Sequence, residues 1–381
     1  MRIAINEVGG NDWTGGITYR NNLIKALNTL REKPELYIIG KADGVNVEGC
    51  SRINPYLPGN WVLKKYDSFS RHIRKKDFVM GKTLKEYKID VLFPGRMSPG
   101  NKTASIYWIP DFQYKHLPHL YSKIQIKNLN EKLHRYFTDA ALVVVSSQDA
   151  RSDLEKFYPE YILKTRILSF VAHVPENLYN IEPKSIADIY HLPEDFIYLP
   201  NQFWAHKNHR LVLEAMKLLK RSGINPVIVC SGNPVDSRDP LHLASLMKKI
   251  SEYNMRNQFL IIGLVPHDHL YSLIRQSKCV INPSLFEGWS TTVEESKSVG
   301  KRMILSNLPV HLEQAPPESI FFKCDDAQDL AGSIKEAWLN FDSGPDLILE
   351  KEARQELNGR MRSFGEAFIE ICLEAIETLK Q

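Results

Sequence analysis

Short apolar runs alternate with longer amphipathic segments along most of the chain. The runs are rich in Ile, Val, Leu and Phe and lack polar alternation, which is typical of parallel strands that are covered by helices on both faces. Strands separated by helical segments indicate βαβ units, and two sets of about six such runs predict two Rossmann-like α/β halves with parallel sheets. The runs are residues 2–5, 36–39, 89–93, 105–109, 141–145 and 166–170, followed by 196–199, 227–230, 259–262, 279–281, 302–305 and 320–322.

A proline-punctuated stretch separates the two sets of runs. Residues 174–195 are mixed polar sequence with several prolines, which is typical of a linker between domains. We therefore expect an N-terminal domain over residues 1–180 and a C-terminal domain over residues 190–362. Because ligands of open α/β sheets bind beyond the carboxyl ends of the strands, we expect a ligand in the cleft between two such domains.

The C-terminal end has an amphipathic pattern that predicts a helix over residues 363–381. This helix can bury its apolar stripe on the C-terminal domain, or it can cross back to the N-terminal domain and tie the two together. The stripe comprises Phe364, Ala367, Phe368, Ile371, Cys372, Ala375, Ile376 and Leu379.

Composition and charge exclude several classes of protein. Hydrophobic residues make up 43% and charged residues 25% of the 381 residues, which excludes disordered, collagenous and disulfide-scaffold proteins. A formal net charge of +4 is too small to indicate nucleic-acid binding. The five cysteines are far apart, which indicates reduced thiols. No apolar run approaches about 18 residues and no signal peptide precedes the first run, so we expect a cytoplasmic protein.

Several motifs for cofactors and metals are absent from the sequence. There is no G-x-G for a dinucleotide, no G-x-x-x-x-G-K-[ST] for nucleotide phosphates and no G-x-S-x-G for acyl hydrolysis. No D-x-D is present to hold a metal–nucleotide complex, and the closely spaced histidine pairs have no cysteine partners nearby. We therefore expect no cofactor and no metal, and we expect protein groups to meet any phosphate charge.

The richest segment for chemistry is residues 282–300, in which a strand is followed by a helix that runs to Gly300. Residues 290–292 offer N-caps, and the free N–H groups of a helix N-terminus suit phosphate. Glu287 lies before this helix and Glu295 lies within it, so each can accept hydrogen bonds from sugar hydroxyls. The alternative is that Glu294 and Glu295 only favour the helix dipole.

Glu287 and Glu295 form the E-x7-E pattern of retaining glycosyltransferases of family 4, and the resemblance covers most of the chain. Residues 8–23, 109–118, 143–154, 200–209 and 284–314 are each similar to a motif of that family. The resemblance implies the GT-B fold, an α/β fold of two Rossmann-like domains with parallel sheets that face each other across a cleft.

The resemblance also implies residue roles. Glu295 would hold the ribose, Glu287 the donor sugar and Lys207 the diphosphate, while Val265 would lie near the base. The catalytic positions would be Glu287, Lys207 and Asp111. The donor-binding positions would be Gly15, Gly16, Asn201, Gln202, His206, Val265, Gly288, Trp289, Ser290, Thr291, Thr292 and Glu295.

Two positions depart from the family pattern. Gln202 stands where many members have an arginine, so the phosphate clamp loses a positive charge, and we expect His206 to compensate. Pro110 stands where many members have a histidine, which leaves Asp111 as the remaining candidate there. The alternative for Asp111 is a turn-forming residue after Pro110.

A basic amphipathic stretch lies at residues 61–88. Apolar residues at helical spacing accompany an excess of lysine and arginine, which predicts docking on an anionic membrane surface. The alternative is a solvated helix whose apolar stripe is part of the core. Aromatic residues do not interleave with the basic ones as stacking platforms would, so a nucleic-acid partner is not expected.

The pattern and the resemblance together predict a retaining, metal-independent glycosyltransferase. It would move a sugar from a GDP- or UDP-linked donor to a hydroxyl of a glycan or lipid-linked glycan, in the assembly of surface polysaccharide such as lipopolysaccharide. It would work in the cytoplasm or at the inner face of the membrane. Two alternatives share the architecture: a nucleotide-sugar epimerase, and a degenerate subunit that binds nucleotide sugar without turnover.

Overall fold

The computed structural model describes residues 1–8, 14–40, 49–55, 65, 78–98, 100–236 and 238–380. The chain divides into two compact units. Unit 1 comprises Met1–Phe112, Ser122–Val171 and Asn358–Gln381, and unit 2 comprises Gln113–Tyr121 and Ala172–Leu357. Of the basic stretch 61–88 that is predicted to bind membranes, residues 61–64 and 66–77 lie outside the described residues.

Thirteen strands lie in the described part of the chain, and all pair in parallel. In chain order they are β1 Arg2–Asn6, β2 Glu35–Ile39, β3 Cys50–Ile53, β4 Val91–Phe93, β5 Ala104–Trp108, β6 Leu142–Val145, β7 Thr165–Ile167, β8 Ile197–Leu199, β9 Ile228–Cys230, β10 Phe259–Ile261, β11 Val280–Asn282, β12 Met303–Ser306 and β13 Ile320–Phe322.

Helices connect most of the strands. In chain order they are α1 Thr14–Asn28, α2 Val79–Glu86, α3 Gln113–His116, α4 Lys123–Asp139, α5 Gln148–Phe157, α6 Pro183–Ile189, α7 His209–Arg221, α8 His242–Glu252, α9 His267–Gln276, α10 Thr291–Ser298, α11 Pro309–Gln314, α12 Ala327–Asn340 and α13 Leu347–Thr378. Short 3-10 helices lie at Pro118–Leu120, Pro159–Lys164, Glu176–Asn180 and Ala205–Lys207. No helix in the described ranges is long and apolar enough to cross a membrane.

Unit 1 contains a seven-stranded sheet in the order β3-β2-β1-β4-β5-β6-β7. Central strands such as β6 are buried along their whole length, as expected for a parallel sheet that is covered on both faces. The edge strand β3 was not predicted, because its middle residues Ser51 and Arg52 are exposed and polar. The sheet therefore has one strand more than the apolar runs indicate.

The C-terminal helix α13 completes the core of unit 1. Phe368 contacts Phe93 of β4 edge-to-face, with ring centroids 4.8 Å apart. Gly365 lies so close to α1 that a Cβ there would come within 2.9 Å of the carbonyl oxygen of Ala26, so the packing requires glycine. Of the two alternatives for this helix, the return to the N-terminal domain is the one observed.

Unit 2 contains a six-stranded sheet in the order β10-β9-β8-β11-β12-β13. The strand order reverses between β8 and β11, and such a switch point is where open α/β sheets bind ligands. The stretch 174–195 is part of this unit and not a free linker, because it contains α6 and its backbone is anchored. Arg275 donates hydrogen bonds to the carbonyl oxygens of Leu178 and Ile181, at 3.1 and 3.0 Å.

Candidate functional site

Two polar segments meet at the switch point of unit 2. One follows β8 and leads through the 3-10 helix Ala205–Lys207 into α7, and the other follows β11 and leads into α10. Because β8 and β11 are adjacent and parallel, their carboxyl ends place both segments at the same edge of the sheet. The predicted residues Asn201, Lys207 and Glu287 are thereby brought together although they are far apart in the chain.

Lys207 and Glu287 form a buried ion pair. Lys207 Nζ lies 2.6 Å from Glu287 Oε1, and the two side chains are 12% and 10% exposed. Ser284 Oγ lies 2.7 Å from the same carboxylate oxygen and can donate a hydrogen bond to it. Burial would raise the pKa of Glu287, but Lys207, followed by His311 and His206, outweighs burial and lowers this pKa to about 2. Glu287 is therefore ionised at neutral pH.

A chain of buried amides and hydroxyls joins the ion pair to the start of α10. Ser284 Oγ also lies 2.7 Å from Asn282 Oδ1, to which Asn201 Nδ2 donates at 3.1 Å. Asn282 Nδ2 donates to Ser290 Oγ at 2.8 Å, and Thr292 Oγ1 donates to Asn201 Oδ1 at 3.1 Å. Such a network fixes the segments after β8 and β11 relative to each other.

The N-terminus of α10 can bind a negatively charged group. Ser290 is the N-cap, and its side chain accepts from Val293 N. Gln314 fixes the cap from outside: its Oε1 accepts from Ser290 N and its Nε2 donates to Ser290 O, both at 3.0 Å. Thr291 and Thr292 occupy the first turn, where backbone N–H groups have no intrahelical acceptor. This end therefore suits a phosphate, with the predicted Gly288 and Trp289 directly before it.

Glu295, which also lies on α10, contacts a residue of α9. Its carboxylate is 6% exposed and its Oε1 lies 3.5 Å from Nε2 of His267, the first residue of α9. Val265 lies in the loop between β10 and α9 and is half-buried. The predicted positions for the ribose and the base are thus grouped around the start of α9.

His206, which is expected to compensate for the arginine missing at position 202, is buried in this structure. Its side chain is 4% exposed. Burial, reinforced by the charge of Lys207, lowers the pKa of His206 to about 3, so the imidazole is neutral at physiological pH. The expectation that His206 compensates for the missing arginine at a bound diphosphate stays a prediction.

Gln202 forms a hydrogen bond with the loop after β9, which contains the positively charged Arg238. Asn233 N donates to Gln202 Oε1 at 2.6 Å, and the same loop carries Arg238. Arg238 Nη2 lies 3.3 Å from His206 Nδ1, and Arg238 Nε lies 3.2 Å from Asp236 Oδ1. A guanidinium, partly neutralised by Asp236, therefore lies beside the segment that carries Lys207.

Three predicted residues belong to unit 1. Gly15 and Gly16 are in the first turn of α1, so they are helical and do not form a loop. Asp111 follows β5, directly before the buried Phe112 that ends this part of the unit. The roles of these three residues stay predictions.

The site includes residues that motif reasoning did not single out. Asn282 and Ser284 come from the predicted segment, and a polar pair at the carboxyl end of a buried strand is a signal that could have identified them. Arg238, His311 and Gln314 come from other loops and helices, and no local spacing marks them. Among the described residues, no group of three histidine, cysteine, aspartate or glutamate side chains is arranged to hold a metal ion.

Two sequence comparisons find similar proteins. Residues 189–356 match the family model "Glycosyl transferases group 1". The O-antigen chain mannosyltransferase RfbU of Salmonella typhimurium is 21% identical over 217 residues, which cover 52% of this chain and 58% of the relative. This chain thus matches little more than half the length of that curated relative.

Solved structures resemble the whole chain. A glycosyltransferase from Rickettsia africae superposes with a TM-score of 0.66 at 15% identity, covering 100% of this chain and 98% of that one. HepE of Anabaena, solved with UDP and glucose, gives a TM-score of 0.64 at 13% identity and covers 100% of both chains. At such identities the likeness concerns the fold, and it confirms the predicted GT-B architecture of two Rossmann-like domains.

Proposed function

Because residues 189–356 match the family model "Glycosyl transferases group 1", we propose that this protein is a glycosyltransferase. It moves a sugar from a nucleotide diphosphate sugar to a hydroxyl of a glycan or lipid-linked glycan. The observation that carries the proposal is the Lys207–Glu287 pair beside the capped N-terminus of α10, at the switch point of a doubly wound sheet. One cation, one carboxylate and one helix N-terminus are the groups that a diphosphate and a sugar require.

The proposed chemistry is stabilisation of the leaving group. As the bond between the sugar and the phosphate breaks, the departing diphosphate gains negative charge. Lys207 and the first-turn N–H groups of α10 lie where they can stabilise that charge, and a preorganised set of donors in a buried site is effective. Glu287 and Glu295 accept hydrogen bonds from the sugar and from the ribose, respectively.

The relatives support the choice of substrates. RfbU is named as a mannosyltransferase of the O-antigen chain, and HepE has been solved with UDP-glucose. A UDP- or GDP-linked hexose as donor and a growing surface polysaccharide as acceptor agree with both names. We also propose that the protein works in the cytoplasm and binds an anionic membrane surface through the basic stretch 61–88.

Retention and metal independence are further parts of the proposal. Without D-x-D, the diphosphate charge falls on Lys207, the helix N-terminus and the nearby Arg238. Retention follows from the resemblance to family 4. The acceptor hydroxyl attacks the anomeric carbon from the face that the diphosphate leaves, and its proton passes to the departing phosphate oxygen.

A thermal-shift screen with UDP, GDP, ADP and the sugar conjugates of the first two tests the donor site. A ligand at about 100 times its Kd stabilises the native protein by about 2.7 kcal/mol, which a melting curve detects. The stabilising conjugate is then incubated with and without a glycan acceptor. Sugar transfer only with acceptor supports the proposal, conversion of the donor without acceptor indicates an epimerase, and binding without turnover indicates a non-catalytic subunit. Stabilisation by none of the nucleotides would contradict the proposed function.

A further inference from the structure

His311 is a buried histidine with one unused ring nitrogen. It lies on α11, which follows β12, and its side chain is fully buried. Nδ1 lies 2.8 Å from the carbonyl oxygen of Ser306, so Nδ1 carries the proton and donates it. Nε2 has no hydrogen-bond partner among the described residues. The neutral ring therefore presents a lone pair that nothing in the described part of the chain satisfies, which is uncommon for a buried polar atom.

Hydrogen bonds through two serines tie the segment that carries His311 to the loop that carries Glu287. Ser306, whose carbonyl holds the His311 ring, donates from Oγ to the carbonyl oxygen of Ser284 at 2.7 Å. Ser284 Oγ in turn lies 2.7 Å from Glu287 Oε1. The strand end, the loop after β11 and α11 thus form one rigid group around this carboxylate.

Glu287 and Lys207 act on the pKa of His311 in opposite directions. Burial lowers the pKa of His311, whereas the negative charge of Glu287 raises it and the positive charge of Lys207 lowers it. In the described part of the chain, Glu287 and Lys207 are the charged groups that act on this ring, and His206 acts on Glu287 beside it. As long as Lys207 pairs with Glu287, protonation of His311 is disfavoured.

Donor binding would remove that obstacle. Under the proposed function, Lys207 is needed by the diphosphate, and Glu287 is then a buried carboxylate without its cation, which is costly in a protein interior. We propose that His311 is a positioning residue that takes up a proton at Nε2 when Lys207 leaves Glu287, so that donor binding is coupled to proton uptake. The proton comes from solvent, and the imidazolium keeps Glu287 ionised and oriented toward the sugar.

Isothermal titration of UDP and GDP in buffers of different ionisation enthalpy tests the coupling. In wild type at pH 7, the apparent enthalpy should depend on the buffer in proportion to the uptake of up to about one proton per nucleotide bound. His311→Gln keeps a planar polar side chain and should remove this uptake while nucleotide still binds. The same proton number in wild type and H311Q would overturn the proposal.

A second measurement needs no nucleotide and remains decisive if H311Q fails to fold. Lys207→Met removes the competing cation permanently, so His311 should titrate at least about one pH unit higher than in wild type. The double variant K207M/E287Q also lacks the carboxylate and should return the titration toward the low wild-type value. Proton NMR of the 12 histidines follows this, with the His311 signal assigned by relayed contacts to Ser306.

The nucleotide titration and the His311 titration in K207M test the proposed function and the role of His311 separately. Failure of both nucleotides to bind would contradict the function, whereas the titration in K207M would still decide whether His311 and Lys207 compete for Glu287. An unchanged His311 titration in K207M would overturn the competition even if donor and acceptor are turned over normally.

Discussion

Lys207 Nζ lies 2.6 Å from Glu287 Oε1, so the cation predicted for the diphosphate and the carboxylate predicted for the sugar neutralise each other. Both side chains are largely buried. In a buried pair, loss of one partner leaves an uncompensated charge and costs more than the pair itself is worth. A donor therefore has to offer Lys207 a better partner than Glu287.

Lys207→Met should lower kcat/KM by about 100- to 1000-fold, because it removes one stabiliser of the charge that develops on the leaving group. Initial rates of sugar transfer, with donor varied, measure the effect. A matched control exists in the same unit: Lys249 Nζ lies 2.9 Å from Glu214 Oε1, with side chains 19% and 31% exposed. Lys249→Met should leave kcat/KM unchanged. Activity of K207M within threefold of wild type would refute the role of Lys207.

Glu287→Gln and Glu295→Gln should separate binding from turnover. Without Glu287, Lys207 is free, so the bare nucleoside diphosphate should bind at least as tightly as in wild type, while kcat falls steeply because a contact to the reacting sugar is lost. Glu295→Gln should instead weaken both nucleotide and donor by roughly ten- to a hundredfold, as one charged hydrogen bond is lost.

Titration calorimetry with the nucleotide, beside initial rates with the donor, measures both variants. Equal losses of nucleotide affinity in the two variants would contradict this division of roles. The glutamates would then be explained by capping of α10 alone.

His206 should make unit 2 sensitive to acid. Its pKa is lowered to about 3 in the folded protein, from an ordinary value of 6.5. Between these values the unfolded chain binds more protons, so the free energy of unfolding should decrease as pH falls below 6.5. His206→Gln should reduce that slope by up to about 1.4 kcal/mol per pH unit. Urea unfolding at several pH values from 7 to 4 measures it, with the exposed His119→Gln as control. Equal slopes in wild type and H206Q would mean that His206 is charged after all.

Turnover should survive metal removal. The positive groups near the diphosphate position are protein side chains and helix N–H groups, so dialysis against EDTA should leave kcat and KM for the donor unchanged. Addition of Mg²⁺ or Mn²⁺ afterwards should have no effect beyond ionic strength. Activity that is lost with chelator and restored by either metal would contradict metal independence.

The basic stretch should dock the protein on anionic lipid. Changing Lys64, Lys65, Arg74 and Lys75 to Glu should abolish sedimentation with vesicles that contain phosphatidylglycerol, since each basic residue near such a surface is worth about 1 kcal/mol. Donor hydrolysis in solution should stay intact. The charge-matched control replaces four exposed lysines of unit 2 by Glu: Lys248, Lys323, Lys335 and Lys351. Equal vesicle binding by wild type and the first variant would leave the stretch as a solvated face.

The strand pattern was predictable because parallel strands are buried on both faces. Runs such as 141–145 and 279–281 carry that burial in their composition, and they correspond to β6 and β11. β3 was missed because it is an edge strand whose middle residues are exposed. Its sequence, which includes Arg52, therefore does not form an apolar run. The linker was misjudged for a related reason: prolines also begin helices, and Pro183 is the first residue of α6.

The candidate site was predictable where functional residues lie in the segment that follows a strand, as Glu287 and Ser290 do after β11. It was not predictable where topology alone brings elements together. Gln314 caps α10 from the end of α11, and Arg238 reaches His206 from the loop after β9. The lowered pKa of His206 was not predictable either, because residue spacing does not report burial, and burial is the main cause of the shift.

Because α13 ends in unit 1, the core of unit 1 is the last part of the described fold to be completed during synthesis. Phe93 and the backbone of Ala26 leave the ribosome long before Phe368 and Gly365, which pack against them. All of unit 2 is translated in between. Unit 2 is therefore synthesised completely before the last part of the unit 1 core. The unit that begins first is the one that finishes last, so a chain truncated directly after Leu357 would contain all of unit 2 and an incomplete core of unit 1.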